Sequence, residues 1–308
     1  MIRIIFNPKS GRAGRNVRLA PLLREFVGSL NGGAELVFTE GPGHATVLAA
    51  EAAALGYERV VTVGGDGTLN ETAQGLLHRP VALALVPCGS GNGLARHLHL
   101  PLNPVAALKL AARPDAAIRV IDTGSADGHP FFNVMGLGLD AEVSLRFNKL
   151  HQRGFSSYVT TAWQAFRAQR PERCTISDGH HRESADVFLL TVANSEQWGN
   201  EAKIAPGAQV DDGKMDVVAV APLNLLTAVG FASRLFLGNV LHSSYARHWR
   251  GARFQIERAA PGWIHTDGET HQASAVLEII TVPASLRVIV PSFGPGRTAD
   301  NRAFALQL

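Results

Sequence analysis

The sequence predicts a two-part fold: a doubly wound α/β domain over residues 1–118, then a mainly antiparallel β-sandwich domain over 119–291. Three observations carry this. Up to residue 118 short apolar runs alternate with helical stretches, the rhythm of a parallel sheet wound on both faces. Two consecutive runs end in glycine-dense turns, Gly64-Gly65-Asp66-Gly67 and Gly89-Ser90-Gly91-Asn92-Gly93. From Arg119 the rhythm changes to short strands bounded by turn residues, which favours a sandwich. At 308 residues and 46% hydrophobic content, the chain has ample material for a core.

In the first part, strands are expected at 2–6, 34–39, 60–63 and 81–86, with helices around 19–30 and 45–55. The third strand runs straight into Gly64-Gly65-Asp66-Gly67-Thr68-Leu69-Asn70-Glu71, after which a helix is expected from Asn70 to about Leu77. The fourth runs into the second glycine loop, and a helix opens near Leu94. In the second part, strands are expected at 119–122, 131–134, 173–176, 187–192, 215–220, 253–257, 275–281 and 286–290. Helical interruptions are expected at 141–166 and 223–241. Two placements fit the tail from 292 to 308: packed on the first domain, or partly free.

The glycine loops point to phosphate. Closely spaced glycines let main-chain N–H groups approach an anion without a Cβ in the way, and the following helix turns the positive end of its dipole toward it. Thr68 adds a hydroxyl. Asp66 beside a polyphosphate requires an intervening divalent cation, so the loop argues for a nucleotide with Mg²⁺. Parallel strands joined by helices bring both loops to one edge of the sheet, where ligands bind in open α/β folds. A Walker A motif and an opening Gly-x-Gly-x-x-Gly are both absent, which weakens the P-loop and dinucleotide readings.

Composition narrows the classes. A net charge of +3 is too slight to argue for nucleic acid and is compatible with contact at an anionic membrane surface. Arg146, Lys149, Arg153, Arg167, Arg170 and Arg173 read equally well as a solvated helix face. Cys88 and Cys174 have neither disulfide-framework nor metal spacing, so a reducing cytoplasm is the default. The opening Met-Ile-Arg-Ile-Ile-Phe reads as a strand, not as an export signal. The apolar stretch 217–241 is interrupted by Pro222, Asn224, Arg234 and Asn239, so it is not read as membrane-spanning. Two readings fit it: a core helix under a β-layer, or the lining of a lipid-accepting groove. The twelve histidines show no His-Glu-x-x-His spacing. His44 and His97 read as polar lining, and His180-His181 as a loop.

Nearly the whole chain resembles the diacylglycerol kinase catalytic-domain family of lipid kinases, which includes sphingosine and ceramide kinases. The likeness rests on ordered segments: Asn7-Pro8-Lys9-Ser10-Gly11, Thr39, Gly64 to Glu71, Pro87 to Ala95, Asn133 to Ala141, Gly199-Asn200 through Ala205-Pro206, Asp211 to Asp216, and Asp267-Gly268-Glu269. The Gly-Gly-Asp-Gly-Thr element is shared with NAD kinases and resembles phosphofructokinases. The resemblance implies an NAD kinase/phosphofructokinase-like first domain, ATP and Mg²⁺ as cofactors, and transfer of the γ-phosphate to a hydroxyl of a lipid such as diacylglycerol or a sphingoid. It implies nucleotide contacts from Asn7, Thr39, Gly64, Gly65, Asp66, Gly67, Thr68, Leu69, Asn70, Glu71 and Ser90. Ser90, where diacylglycerol kinase relatives often have Thr, looks more like sphingosine kinases.

Asp267-Gly268 alone reads as a hairpin turn. In the family this triplet faces the nucleotide across the interdomain cleft and one of its carboxylates is the general base, which leaves Asp267 and Glu269 open; Glu269 is favoured, with Asp267 and Asp66 organising Mg²⁺. Related bacterial enzymes also imply a structural Mg²⁺ at Asp212, with carbonyls from Gln209 and Lys214, oxygen ligation that suits a hard cation. Asp140 is expected to support the cleft without a chemical step. A lipid substrate implies peripheral membrane contact; a homodimer stays open, because one sequence carries no signal of oligomeric state. The competing readings are an NAD kinase-like or other nonlipid alcohol kinase, and a catalytically silent nucleotide-binding regulator. An NAD kinase is expected to carry a Thr-Pro-Thr-Gly-Ser type segment, which this sequence lacks. Intact Asp66, Glu71 and Glu269 weigh against a silent regulator.

Overall fold

The computed structural model describes residues 1–10, 15–89, 91–148, 155–168 and 170–292. Its first half runs β1 (Ile2–Phe6), α1 (Arg15–Ser29), β2 (Ala34–Phe38), α2 (His44–Ala54), β3 (Arg59–Gly64), α3 (Asp66–Leu76), β4 (Ala82–Pro87), α4 (Gly93–His97) and α5 (Pro104–Ala112). The strands pair in parallel in the order β2-β1-β3-β4. β3 and β4 are buried along nearly their whole length, which is why they read as unbroken apolar runs. One sheet face packs on α1 and α5 through Leu19, Leu23, Ala107 and Leu108. The other packs on α2, α3 and α4 through Ala45, Leu48, Ala73, Leu76 and Leu94. Gly75 lets α3 lie directly on α2, since a Cβ there would stand 2.4 Å from the Thr46 carbonyl oxygen.

The second half runs β5 (Ala117–Ala126), β6 (His129–Phe131), β7 (Val134–Gly138), α6 (Leu139–Asn148), α7 (Phe155–Ala168), β8 (Glu172–Ser177), β9 (Arg182–Val187), β10 (Leu189–Ala193), β11 (Gln197–Gly199) and β12 (Ala202–Lys203). It continues with β13 (Met215–Val220), α8 (Leu225–Leu237), β14 (Ala246–Gly251), β15 (Arg253–Arg258), β16 (Gly262–Thr266), β17 (Glu269–Ala273) and β18 (Val276–Val290). A six-stranded antiparallel sheet, β14-β13-β10-β7-β16-β17, faces β18-β15-β8-β9. Met135, Leu137, Leu190, Val192 and Val217 meet Ile176, Phe254, Ile256 and Leu277 between them. Alternation puts Val134, Leu189, Val218 and Val220 on the opposite face, against Phe231 and Leu235 of α8.

β18 joins the two halves. Its first residues pair with β15, Arg287 and Val288 pair in parallel with β4, and β5 runs antiparallel along most of it. The first sheet therefore continues into the second half as one ten-stranded sheet. The strands expected at 275–281 and 286–290 are one strand with an irregularity between Val282 and Leu286. Ala284 has φ 49° there, and buried Asp122 accepts its N–H at 2.8 Å and that of Gly213 at 2.6 Å. Residue 118 falls inside β5.

Other elements also depart from expectation. α3 begins at Asp66, four residues early, so the glycine-rich segment supplies its first turn. The strand expected at 187–192 is two, β9 and β10, because the chain leaves one sheet for the other near Phe188. The interruption at 141–166 holds two helices, and α8 is only 13 residues long. Among the described residues no helix is long and apolar enough to cross a membrane. The tail from 293 lies outside the described residues.

Candidate active site

The carboxyl ends of β1 to β4 form one edge, and the loops leaving it are tied together. Asn7, after β1, donates Nδ2–H to the Thr68 hydroxyl at 2.9 Å and accepts the Lys9 N–H at 2.9 Å. Thr68 is buried, and a Cβ on Gly64 would stand 2.6 Å from its Oγ1. Glycine at 64 is therefore a requirement of close approach. In this structure the Thr68 hydroxyl fixes Asn7. Thr39, buried after β2, lines with Asn7, Lys9, Glu40, Gly41, Pro42 and Glu71 a cleft of about 180 Å³. Glu71 also accepts the Ala45 N–H of the first turn of α2 at 3.2 Å. Lys9 and Glu40 to Pro42 were not predicted as site residues. The signal for Lys9 was its place in the loop after β1.

Asp66 begins α3, beside the second glycine loop. Its Oδ2 accepts the Asn92 N–H at 3.2 Å, and Gly65 and Gly89 lie in backbone contact. Leu69 lines a small crevice with Gly64, Gly65, Asp66 and Asn92. Gly91 and Asn92 are held from the second half: Asn200 donates its N–H to the Gly91 carbonyl at 3.2 Å, and Asn92 bridges to Gly199. Ser90 lies outside the described residues.

The hairpin joining β16 and β17 turns at Asp267 and Gly268, with φ of 50° and 90°, between the paired Thr266 and Glu269. Such a two-residue turn with positive φ at both positions is what Asp-Gly favours. The reading of this dipeptide as a hairpin turn holds. Asp267 Oδ1 accepts the N–H groups of Asn133 and Val134, each at 2.9 Å. Oδ2 accepts those of Phe132 and Asn70 Nδ2, each at 2.8 Å. Four donors fill the carboxylate's lone-pair sites. Asp267 thus ties the segment between β6 and β7 to Asn70 of α3.

Glu269 follows the turn, with Oε1 3.6 Å from where a Cβ on Gly67 would lie. Burial pushes its carboxyl above the usual range, and Glu71 and Asp267 push it further. Burial likewise raises Asp66, against the Asn92 amide and with Asp267 adding to the rise, and it raises Asp267 against its four donors. Carboxylates from the glycine loop and from the second half therefore repel one another, an electrostatic demand that a divalent cation would meet. Among the described residues no three His, Cys, Asp or Glu side chains form a metal cage. A cation here would take most of its ligands from phosphate oxygens, the usual habit of Mg²⁺.

At the expected structural metal site the aspartates are paired with arginines. Asp212 Oδ1 accepts the Lys214 N–H at 3.0 Å, and Oδ2 is paired with Arg250. Arg250 also lies 3.6 Å from Asp216, and Asp211 is held by both arms of Arg119 at 2.7 and 2.8 Å. A guanidinium thus pairs with the carboxylate expected to bind the metal.

Residues 1–126 match the family described as diacylglycerol kinase catalytic domain, and residues 133–290 match the YegS C-terminal NAD kinase beta sandwich-like domain. The chain belongs to this lipid kinase family. The Pseudomonas fluorescens protein named "Probable lipid kinase YegS-like" is 30% identical over 258 residues, covering 82% of this chain and 84% of the relative. A Bacillus subtilis diacylglycerol kinase is 27% identical over 297 residues, covering 94% and 96%. In fold the chain is similar to a diacylglycerol kinase crystal structure from Bacillus anthracis, with a TM-score of 0.69 at 20% identity over 94% and 96% of the two chains. It is more distantly similar to an Archaeoglobus fulgidus NAD kinase in complex with ATP, with a TM-score of 0.55 at 13% identity over 95% and 94%.

Proposed function

We propose that this lipid kinase transfers the γ-phosphate of ATP to a hydroxyl of a membrane lipid such as diacylglycerol or a sphingoid, in the cleft between its two halves. The observation that carries the reading is the approach of Glu269 from the second half to Gly67, near enough to Glu71 to feel its charge, while Glu71 lines a cleft with Asn7, Lys9 and Thr39. The loops after β1, β2 and β3 bind and orient the nucleotide, with main-chain N–H groups at the start of α3 toward its phosphates. Mg²⁺, held by Asp66 and the phosphates, would supply charge neutralisation. Glu269 takes the proton of the lipid hydroxyl as its oxygen bonds to phosphorus and ADP leaves, a contribution of about 10²- to 10⁴-fold. Asp267 holds the turn that presents Glu269.

The lipid phase is met through α8. Leu226, Val229 and Leu237 are 84%, 66% and 73% exposed on its outward face, beside Leu225 and Phe236. The helix has no acidic residue, and its one charged side chain is Arg234. An apolar face with only cationic charge suits an interfacial helix on an anionic bilayer. Transfer of labelled γ-phosphate from Mg-ATP to diacylglycerol, monoacylglycerol, ceramide, sphingosine, polyprenol and NAD tests the activity, with wild type beside Asp66→Ala. Labelled lipid lost in the variant is expected; label on NAD alone would overturn the lipid reading.

A further inference from the structure

The proposed chemistry leaves one buried polar cluster unused, on the face of the six-stranded sheet away from its core. Gly136 of β7 lies directly between Thr191 of β10 and His265 of β16. A Cβ on Gly136 would stand 2.3 Å from Asp140 Oδ2 and 2.7 Å from His265 Nε2. Its absence lets the Asp140 carboxylate lie over the sheet and reach both neighbours. Thr191 donates its hydroxyl to Asp140 Oδ2 at 2.8 Å, and Trp198 Nε1–H donates to Thr191 Oγ1 at 3.3 Å. Asp140 Oδ1 is 3.1 Å from His265 Nε2. On the far side of the ring, Nδ1 accepts the Gly268 N–H at 3.2 Å. Asp140 is 9% exposed and His265 3%.

The Gly268 contact sets the tautomer: Nδ1 accepts and keeps its lone pair, so the ring proton sits on Nε2, 3.1 Å from Asp140 but without hydrogen-bond alignment to it. Gly268 immediately precedes Glu269 in the turn. The turn is therefore anchored twice, by Asp267 on the Phe132 to Val134 amides and by His265 on the Gly268 amide. We propose that Asp140 and His265 are positioning residues that set the place of Glu269 through the Gly268 N–H, with Thr191 and Trp198 orienting the carboxylate. The inference rests on Glu269 acting as the base.

Two substitutions separate the ring's contacts. His265→Asn puts an amide oxygen near Nδ1 and can still accept from Gly268. His265→Gln reaches toward Asp140 and removes the Nδ1 acceptor from Gly268. Steady-state transfer to the lipid acceptor should show kcat lowered about tenfold or more in His265→Gln with KM for ATP little changed, since small misplacements cost rate steeply. His265→Asn should keep most of the activity. In a Glu269→Gln background His265→Gln should cost nothing further, because both act on one step. Equal losses in the two His265 variants, or a fully additive loss in the double variant, would overturn the dyad. Should the variants not fold, ¹⁵N spectra of the wild-type ring decide: a proton on Nε2 is expected, and one on Nδ1 overturns the proposal. Wild-type turnover in Glu269→Gln would instead remove the base assignment itself.

Discussion

Replacing Asp267 with Asn should loosen the tie between the two halves while leaving side-chain volume unchanged. The carboxylate accepts four hydrogen bonds, two on each oxygen. An amide offers one oxygen, which can keep the Asn133 and Val134 N–H groups. Its NH₂ then faces the Phe132 N–H and Asn70 Nδ2, setting donor against donor. Leaving a buried donor unpaired costs about 1–3 kcal/mol, so two cost about 2–6 kcal/mol. At roughly 2–4 °C per kcal/mol for a domain of this scale, Tm should fall by about 10 °C in a thermal melt followed by circular dichroism. Asn70→Ala removes one donor and orphans no backbone group, so it should cost only about 1 kcal/mol. A melt of Asp267→Asn within about 2 °C of wild type would refute the reasoning, because the unpaired donors would then cost almost nothing.

Gly64→Ala should raise KM for ATP strongly, since its Cβ would stand 2.6 Å from Thr68 and displace the group that fixes Asn7; nucleotide titration checks this, and unchanged affinity contradicts it. The nucleotide-free protein should melt at the same temperature in Mg²⁺ and in chelator, because Arg250 holds Asp212; a structural site at a hundred times its Kd would add about 2.7 kcal/mol. Leu226→Glu with Phe236→Glu should abolish sedimentation with anionic vesicles while sparing transfer to a short-chain, soluble acceptor; loss of both activities, or of neither, would tell against α8 as the docking face. Glu269 must be ionised to act as base, and burial with Glu71 and Asp267 raises its pKa. Activity should therefore fall on acidification along a limb above the ordinary glutamate value of about 4.3; a limb that persists in Glu269→Gln belongs to another group.

The parallel strands were legible because both their faces are covered: Val60 to Val63 and Ala82 to Val86 carry no polar face to confuse the pattern. β14 and all of β9 before Val187 were not foreseen. Both lie at sheet edges, and Arg182 to Val187 and Ala246 to Gly251 are largely charged or polar. The start of α3 was misplaced because glycine reads as a loop residue, whereas Gly67 sits in a first helical turn. Asp66, Asp267 and Glu269 could be named from short motifs. Their division of labour could not, since the donors to Asp267 lie more than 130 residues away or in another lobe. Arg250 was likewise invisible as the partner of Asp212, 38 residues earlier. His265 looked like one residue of a strand, and only the cross-strand neighbours of Gly136 reveal its contacts.

The measurement that bears most directly on Glu269 is single-turnover transfer of labelled γ-phosphate by Glu269→Gln beside wild type, with ATP affinity measured in parallel. Unchanged ATP binding with transfer slowed about 10²- to 10⁴-fold is the predicted result. Transfer at the wild-type rate would mean that the proton leaves by another route, and that the hairpin from the second half does not supply the base.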